Sequence, residues 1–330
     1  MTEITTKGGG GDRIPLRAAP RRSVGRFVAL AAVLTCACAA QPAPPVAPSF
    51  AAAPPAAPAP APAPAPAPVI PNGDQWLYGS AEGSVAARQA YLALSDYALA
   101  AAKHRPQSSV ILAPGSSPVS SSALSFTPCG SKPLAVVFDA DETLIWNVPP
   151  RRDNVLRNGG HFDTKTWSAW EQTGAGHATA VPAILDVLAA LRAAGITSIV
   201  NTNRSATNAE GTAATLKAAG LGDFVHGQTL FLQGDDQEKS SKDGRRARIA
   251  EHYCVIAMAG DQLGDFSNAF NDPALTQAQR RAAAASGPAA ALWGHGWFLL
   301  PNPVYGPWAD KLKVDEVYGT DPWVPAQGAK

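Results

Sequence analysis

Three acidic side chains, Asp139, Asp141 and Glu142, fall within four residues directly after the apolar run Leu134–Phe138. Carboxylates crowded in this way repel one another and stay ionised together only where a cation offsets their charge. Asp261 and Asp265 stand in a matching setting, just after a second apolar run, Cys254–Ala259. If the two runs lie side by side, Asp139, Asp141, Asp261 and Asp265 converge on one point. A hard divalent ion with oxygen ligands, Mg²⁺ above all, suits such a set.

The elements that would position these residues alternate in type. Ser84–Lys103 reads as one helix from the spacing of Val85, Tyr91, Leu92, Leu94, Tyr97 and Leu99. Residues 105–132, rich in Ser, Pro and Gly, read as loop, and Leu134–Phe138 as a strand buried on both faces. A helix opening at Pro182 and stopped by Gly195 leads into a strand, Ile196–Val200, which ends in Asn201-Thr202-Asn203-Arg204. Thr207 and Glu210 form a capping-box pattern for the next helix. Thr229–Leu232 reads as a third strand, and Arg245–His252 as a helix before Cys254–Ala259. This order predicts a doubly wound, Rossmann-like parallel α/β sheet flanked by helices, with ligands at the carboxyl ends of its strands.

With these residues in place, the sequence resembles the haloacid dehalogenase (HAD) superfamily of phosphatases, and within it the bacterial class C acid phosphatases, which include outer-membrane lipoprotein nucleotidases. Four motifs carry the resemblance in order: Asp139-Ala140-Asp141-Glu142-Thr143, Thr202-Asn203-Arg204, Lys242 with Lys239 as the alternative lysine, and Gly260-Asp261-Gln262-Leu263-Gly264-Asp265. It extends from about Trp76 through Phe162-Asp163-x-Lys165-x-Trp167 to Leu300-Pro301-Asn302-x-x-Tyr305. The chain departs from the family pattern at Ala140, around Pro150 and at Gly264.

The resemblance implies a mechanism. Asp139 attacks phosphorus and forms an aspartyl-phosphate, and Asp141 protonates the leaving oxygen and later deprotonates water. Mg²⁺ is held by Asp139, Asp261 and the main-chain carbonyl of Asp141, while Thr202, the amide of Asn203 and Lys242 bind the phosphoryl oxygens. Asp265 positions the metal shell or Lys242. The N-terminal helix and the insertion 147–181 form a small, mainly helical cap; Trp167 of the insertion and Tyr305 near the end of the domain sandwich a nucleobase, and His161 is a surface or packing residue rather than a ligand. The expected activity is hydrolysis of phosphomonoesters, nucleoside 5′-monophosphates in particular, at acidic pH. The alternatives are an acid phosphatase without nucleotide preference and a silent binding protein on the same fold.

Residues ahead of this domain read as export machinery. Arg21, Arg22 and Arg26 precede the apolar stretch Phe27–Cys38, which suits a signal peptide and is short of the roughly 20 residues of a membrane span. Thr35-Cys36-Ala37-Cys38 resembles a lipobox with Cys38, or else Cys36, lipidated, whereas Ala37-Cys38-Ala39 suits ordinary cleavage. Residues 1–40 are thus a signal peptide, 41–72 an extended Ala/Pro spacer, and 73–330 the catalytic domain. The expected location is the outer membrane as a lipoprotein, or the periplasm in soluble form.

Without the leader the chain carries 21 Lys/Arg against 24 Asp/Glu, with no basic stripe for nucleic acid. Cys129 and Cys254 then remain, each just ahead of a predicted strand, either as a disulfide or as two buried thiols. A homodimer is left open.

Overall fold

Five short apolar runs come together as one parallel sheet. The computed structural model describes residues 67–308 and 312–320. The expected signal peptide and most of the spacer lie outside the described residues. The strands are β1 (Ser108–Leu112), β2 (Phe126–Pro128), β3 (Leu134–Phe138), β4 (Ile145–Trp146), β5 (Thr179–Ala180), β6 (Thr197–Ser205), β7 (Leu230–Gln233), β8 (Cys254–Gly260) and β9 (Trp297–Leu299). The main sheet has the order β7-β6-β3-β8-β9, and every neighbouring pair in it is parallel. From β3 the chain builds outward through β6 and β7, then returns to the other side with β8 and β9. That reversal leaves a crevice at the carboxyl ends of β3 and β8.

Helices cover both faces, as the sequence predicts. Val136 and Phe138 face a core shared with Tyr91, Leu94, Leu188 and Leu191, whereas Ala135 and Val137 face one shared with Ile249, Phe266 and Trp297. Alternation of side chains along the strand explains why every residue of this run is apolar. The helix Ala81–Lys103 buries Tyr91, Leu94 and Ala98. No helix among the described residues is long and apolar enough to cross a membrane.

The insertion rises on a two-stranded stalk, in which Ile145 pairs with Ala180 and Trp146 with Thr179. Two helices, Val148–Asn158 and Thr164–Thr173, sit between those strands. The carboxylate of Asp163 caps the second, accepting from Thr166 N at 2.7 Å. Arg151 of the first grips Asp74, ahead of the N-terminal helix, through a two-pronged ion pair at 2.5 and 2.9 Å.

Several local expectations need correction. Residues 105–132 are not all loop, because β1 and β2 pair in antiparallel fashion and bury Val110 and Ile111. β9 is only three residues long, too short to show a period in sequence. β6 continues through Asn201-Thr202-Asn203-Arg204 to Ser205 instead of ending before them. Thr207 caps no helix: the Ser205 hydroxyl accepts from Thr207 N, a 3₁₀ turn spans Ala206–Asn208, and the helix is Ala209–Ala218. The helix expected from Pro182 starts at Ile184, since Ala183 has φ 74°. Of the two alternatives expected for Cys129 and Cys254 the structure has the disulfide, with Cα atoms 4.6 Å apart, tying the entry to β3 to the first residue of β8.

Candidate active site

The register of β3 and β8 brings the two acidic motifs together. Phe138 pairs with Ala259, and Asp139 N donates to Ala259 O at 2.9 Å, so Asp139 and Asp261 leave adjacent strand ends. Carboxylate oxygens of Asp139, Asp261 and Asp265 all lie within 4.8 Å of one another, and all three side chains are buried. Lys242 stands among them, its Nζ bonded to Asp139 Oδ1 and, at 2.6 Å, to Asp265 Oδ1. Lys239 is exposed and takes no part in the cavity wall, which separates the two candidate lysines. Asn302 and Gln262 amides hold Asp261 Oδ2 at 2.6 and 3.0 Å.

Asp141 points to a different set of partners. Arg204 donates to it through Nε at 2.9 Å and Nη2 at 2.8 Å, and Asn147 adds a third bond at 2.9 Å. Glu142, at φ 55°, has partners of its own. Its carboxylate accepts from Tyr78 at 3.0 Å, from the Tyr305 hydroxyl and from Asn147 N at 2.9 Å. The third acidic group of the opening motif is thus satisfied by hydrogen bonds, not by the carboxylate cluster.

Thr202 is buried on β6, with its hydroxyl accepting from Arg204 N at 3.2 Å. Asn203 donates to Ser240 O at 2.9 Å and accepts from Arg245 at 2.6 Å. Arg245, fully buried, also bonds the carbonyls of Thr202 and Ser241, and so fastens the β6 segment to the loop that carries Lys242. Arg246 does the same on the other side, bonding Gly264 O at 3.1 Å and Asp265 O at 2.7 Å.

All nine residues expected in the site, namely Asp139, Asp141, Thr202, Asn203, Lys242, Asp261, Asp265, Trp167 and Tyr305, line one cavity of about 860 Å³. Trp167 donates to Glu171 at 2.8 Å, and one face of its ring carries the Arg204 guanidinium, 5.6 Å from the ring centroid. His161 and Phe162 also reach the wall.

Burial and neighbouring carboxylates both act on the acidic groups of this site. Burial pushes Asp139 well above the usual carboxylate range against the pull of Lys242, and Asp265, Asp261 and Asp141 add to the rise. Burial and then the charge of Asp265 push Asp261 up to about 7. Glu142 is likewise pushed up to about 7, by burial and by Asp141. Burial opposes the charge on Lys242, yet Asp139 and Asp265 hold its pKa above the ordinary value. Such a site favours an added cation.

A doubly wound sheet with carboxylates, a buried lysine and a hydroxyl gathered at its carboxyl edge under a helical insertion defines a phosphatase of the haloacid dehalogenase type. The chain belongs to the HAD superfamily, subfamily IIIB (Acid phosphatase), whose profile matches residues 88–308, and it is therefore a phosphoric monoester hydrolase. Two solved structures share the fold: the class C acid phosphatase from Bacillus anthracis, and the same enzyme with tungstate bound. Each is 21% identical, with a TM-score of 0.57 over 75% of this chain and 87% of that one. No curated protein matches the chain closely enough to count as a relative.

The sequence reading missed Asn147, Arg245 and the use of Arg204 and Glu142. Arg204 and Glu142 stand inside the second and first motifs, so the sequence shows their presence but not their partners. Arg245 follows Lys242 by three residues on the helix Asp243–His252, and only its complete burial marks it out.

Proposed function

We propose that the chain is an exported, Mg²⁺-dependent acid phosphatase that prefers nucleoside 5′-monophosphates and works through an aspartyl-phosphate on Asp139. The single observation that carries this reading is the meeting of Asp139, Asp261 and Lys242 in one cavity with Trp167 and Tyr305.

The donor set fits a hard divalent ion: it is all oxygen, multiply anionic and braced by Asn302 and Gln262. Asp139, Asp261 and the main-chain carbonyl of Asp141 would hold Mg²⁺, with Asp265 either completing the carboxylate set or orienting Lys242. When bound, the ion supplies positive charge that offsets repulsion between phosphate and nucleophile. Asp139 attacks phosphorus in line, and the leaving oxygen takes a proton from Asp141. Water then attacks the phosphorylated Asp139, giving its proton to Asp141. Thr202, the Asn203 amide and Lys242 bind the equatorial oxygens, where negative charge accumulates. Tungstate, a tetrahedral oxyanion, is bound by the Bacillus anthracis enzyme of this fold.

Tyr305 keeps its ring on the cavity wall because its hydroxyl is anchored to Glu142. With Trp167 it offers two aromatic faces to a base, each worth about 1 to 3 kcal/mol. The insertion 147–181 acts as the cap. Export is supported by the Cys129–Cys254 disulfide, a bond of oxidising compartments. Anchoring through a lipidated Cys38 completes the proposal and is tested by labelling with a radioactive fatty acid.

Hydrolysis of AMP and of glycerol phosphate, each with and without EDTA, tests the whole. The reading expects EDTA to stop both reactions, added Mg²⁺ to restore them, and AMP to be the better substrate. Equal rates for the two esters would remove the nucleotide preference, and full activity in EDTA would remove the metal.

A further inference from the structure

Asp141 is held by a branched set of partners built on one buried guanidinium and one amide. Three hydrogen bonds converge on its Oδ1, from Arg204 Nε, Arg204 Nη2 and Asn147 Nδ2, and Arg204 Nε also reaches Oδ2 at 3.2 Å. Arg204 and Asn147 are themselves joined, Nη2 donating to Asn147 Oδ1 at 3.0 Å. Trp170 of the cap helix completes the set, donating from its indole to the same Oδ1 at 2.7 Å. Asn147 is thus bonded on both sides of its amide: Nδ2 donates to the Asp141 carboxylate and, at 3.1 Å, to that of Glu142, and Oδ1 accepts from an indole of the insertion.

This arrangement is expensive for the fold. The Arg204 side chain is wholly buried, and its Nη1 finds no hydrogen-bond partner among the described residues. An unmet buried donor costs about 1 to 3 kcal/mol, and buried ion pairs are commonly replaceable by apolar groups without loss of stability. Stability alone does not account for such a guanidinium. It does accomplish one thing that an apolar residue cannot, which is to fix the plane and direction of the Asp141 carboxylate.

We propose that Arg204 and Asn147 are positioning residues for Asp141: they aim its carboxylate at the leaving oxygen, and so set how well the enzyme expels poor leaving groups. The inference rests on the reading of Asp141 as the group that protonates that oxygen. Its logic is selective. An aryl phosphate with a very acidic leaving group departs without a proton, whereas phenyl phosphate needs one. A misdirected Asp141 therefore slows the second and spares the first. A defect in phosphate binding or in overall folding slows both alike.

The experiment measures kcat/KM, which reports events up to the first phosphoryl transfer, for dinitrophenyl, nitrophenyl and phenyl phosphate. Arg204→Lys keeps the charge and loses the planar fork, and Asn147→Ser removes the amide bridge. Inhibition by inorganic phosphate shows that the anion site is intact in each variant. Both variants are expected to lose on the order of 100-fold on phenyl phosphate and no more than about threefold on dinitrophenyl phosphate, with phosphate inhibition retained. Either variant suffices should the other fail to fold.

Asp141→Asn is the control that separates the two claims. If it too shows the selective loss while Arg204→Lys and Asn147→Ser lose rate equally on all three esters, or lose nothing, the positioning inference is wrong and the role of Asp141 stands. If Asp141→Asn itself shows no selectivity for the leaving group, the role assigned to Asp141 falls and the inference with it.

Discussion

Asp139 and Asp261 lie far apart in the chain, yet their carboxylate oxygens come within 4.8 Å because β3 and β8 are hydrogen-bonded neighbours in the parallel sheet. Asp265 joins them, and a single ammonium, that of Lys242, is bonded to two of the three. Such a cluster could hold a divalent cation, and on the proposed function the protein's behaviour without a metal should differ measurably from its behaviour with one.

On the proposed mechanism, replacing Asp139 by Asn removes the nucleophile while preserving its size. Turnover of an aryl phosphate is expected to fall by at least about 1,000-fold, with a native circular dichroism spectrum and weakened but measurable Mg²⁺ binding by calorimetry. Activity within tenfold of wild type would show that another group attacks phosphorus.

The metal-free protein should lose stability as pH rises. Asp261 and Glu142 titrate at about 7 in the folded chain against ordinary values of 3.8 and 4.5. A folded-state pKa above the unfolded one means that folding takes up protons, so the contribution is full below about pH 4 and is lost as pH climbs towards 7. Glu142 alone represents on the order of 3 kcal/mol. Thermal melting in EDTA should show the midpoint falling between pH 4.5 and 7, and Mg²⁺ should reverse the fall at neutral pH by binding only the folded state. A midpoint that rises over this range would mean that the carboxylates are not buried as described.

The disulfide should matter to stability and not to chemistry. Cys129 and Cys254 close a long loop, with a sequence separation of 125, at the amino-terminal ends of β3 and β8, away from the cavity. Changing both to Ser is expected to lower the unfolding free energy by about 2 to 5 kcal/mol in a urea titration while leaving kcat unchanged. Loss of kcat in the folded double variant would show that the strand ends move together.

Trp167→Ala should act on the base and not on the phosphate. Removing one stacking face predicts a loss of about 10-fold in kcat/KM for AMP and little change for glycerol phosphate. Equal losses for both esters would mean that Trp167 only supports the cap, through Glu171 or Arg204.

Much of the site is legible in the sequence, for a physical reason. Buried parallel strands must be continuously apolar, so Leu134–Phe138 and Cys254–Ala259 announce themselves, and whatever follows them stands at a strand end. Asp139, Asp141 and Asp261 were placed in this way. Lys242 and Lys239 share one polar loop, and only packing decides that the first enters the cavity while the second faces solvent. Asn147, Arg204 and Arg245 were opaque for a related cause: their partners are distant in sequence, and a buried arginine looks like a surface arginine until its neighbours are known. β1 and β2 owe their existence to tertiary pairing, which outweighs the loop-like composition of residues 105–132, and the three-residue β9 likewise rests on its pairing with β8.

The covalent role of Asp139 is tested most directly by the stereochemistry at phosphorus. The phosphoryl group of a phosphomonoester made chiral with the three oxygen isotopes is passed to an alcohol, and the configuration of the ester formed is read by NMR. Two successive in-line displacements, the first by Asp139 and the second by the alcohol, predict net retention. Net inversion would mean a single direct displacement and would contradict the account.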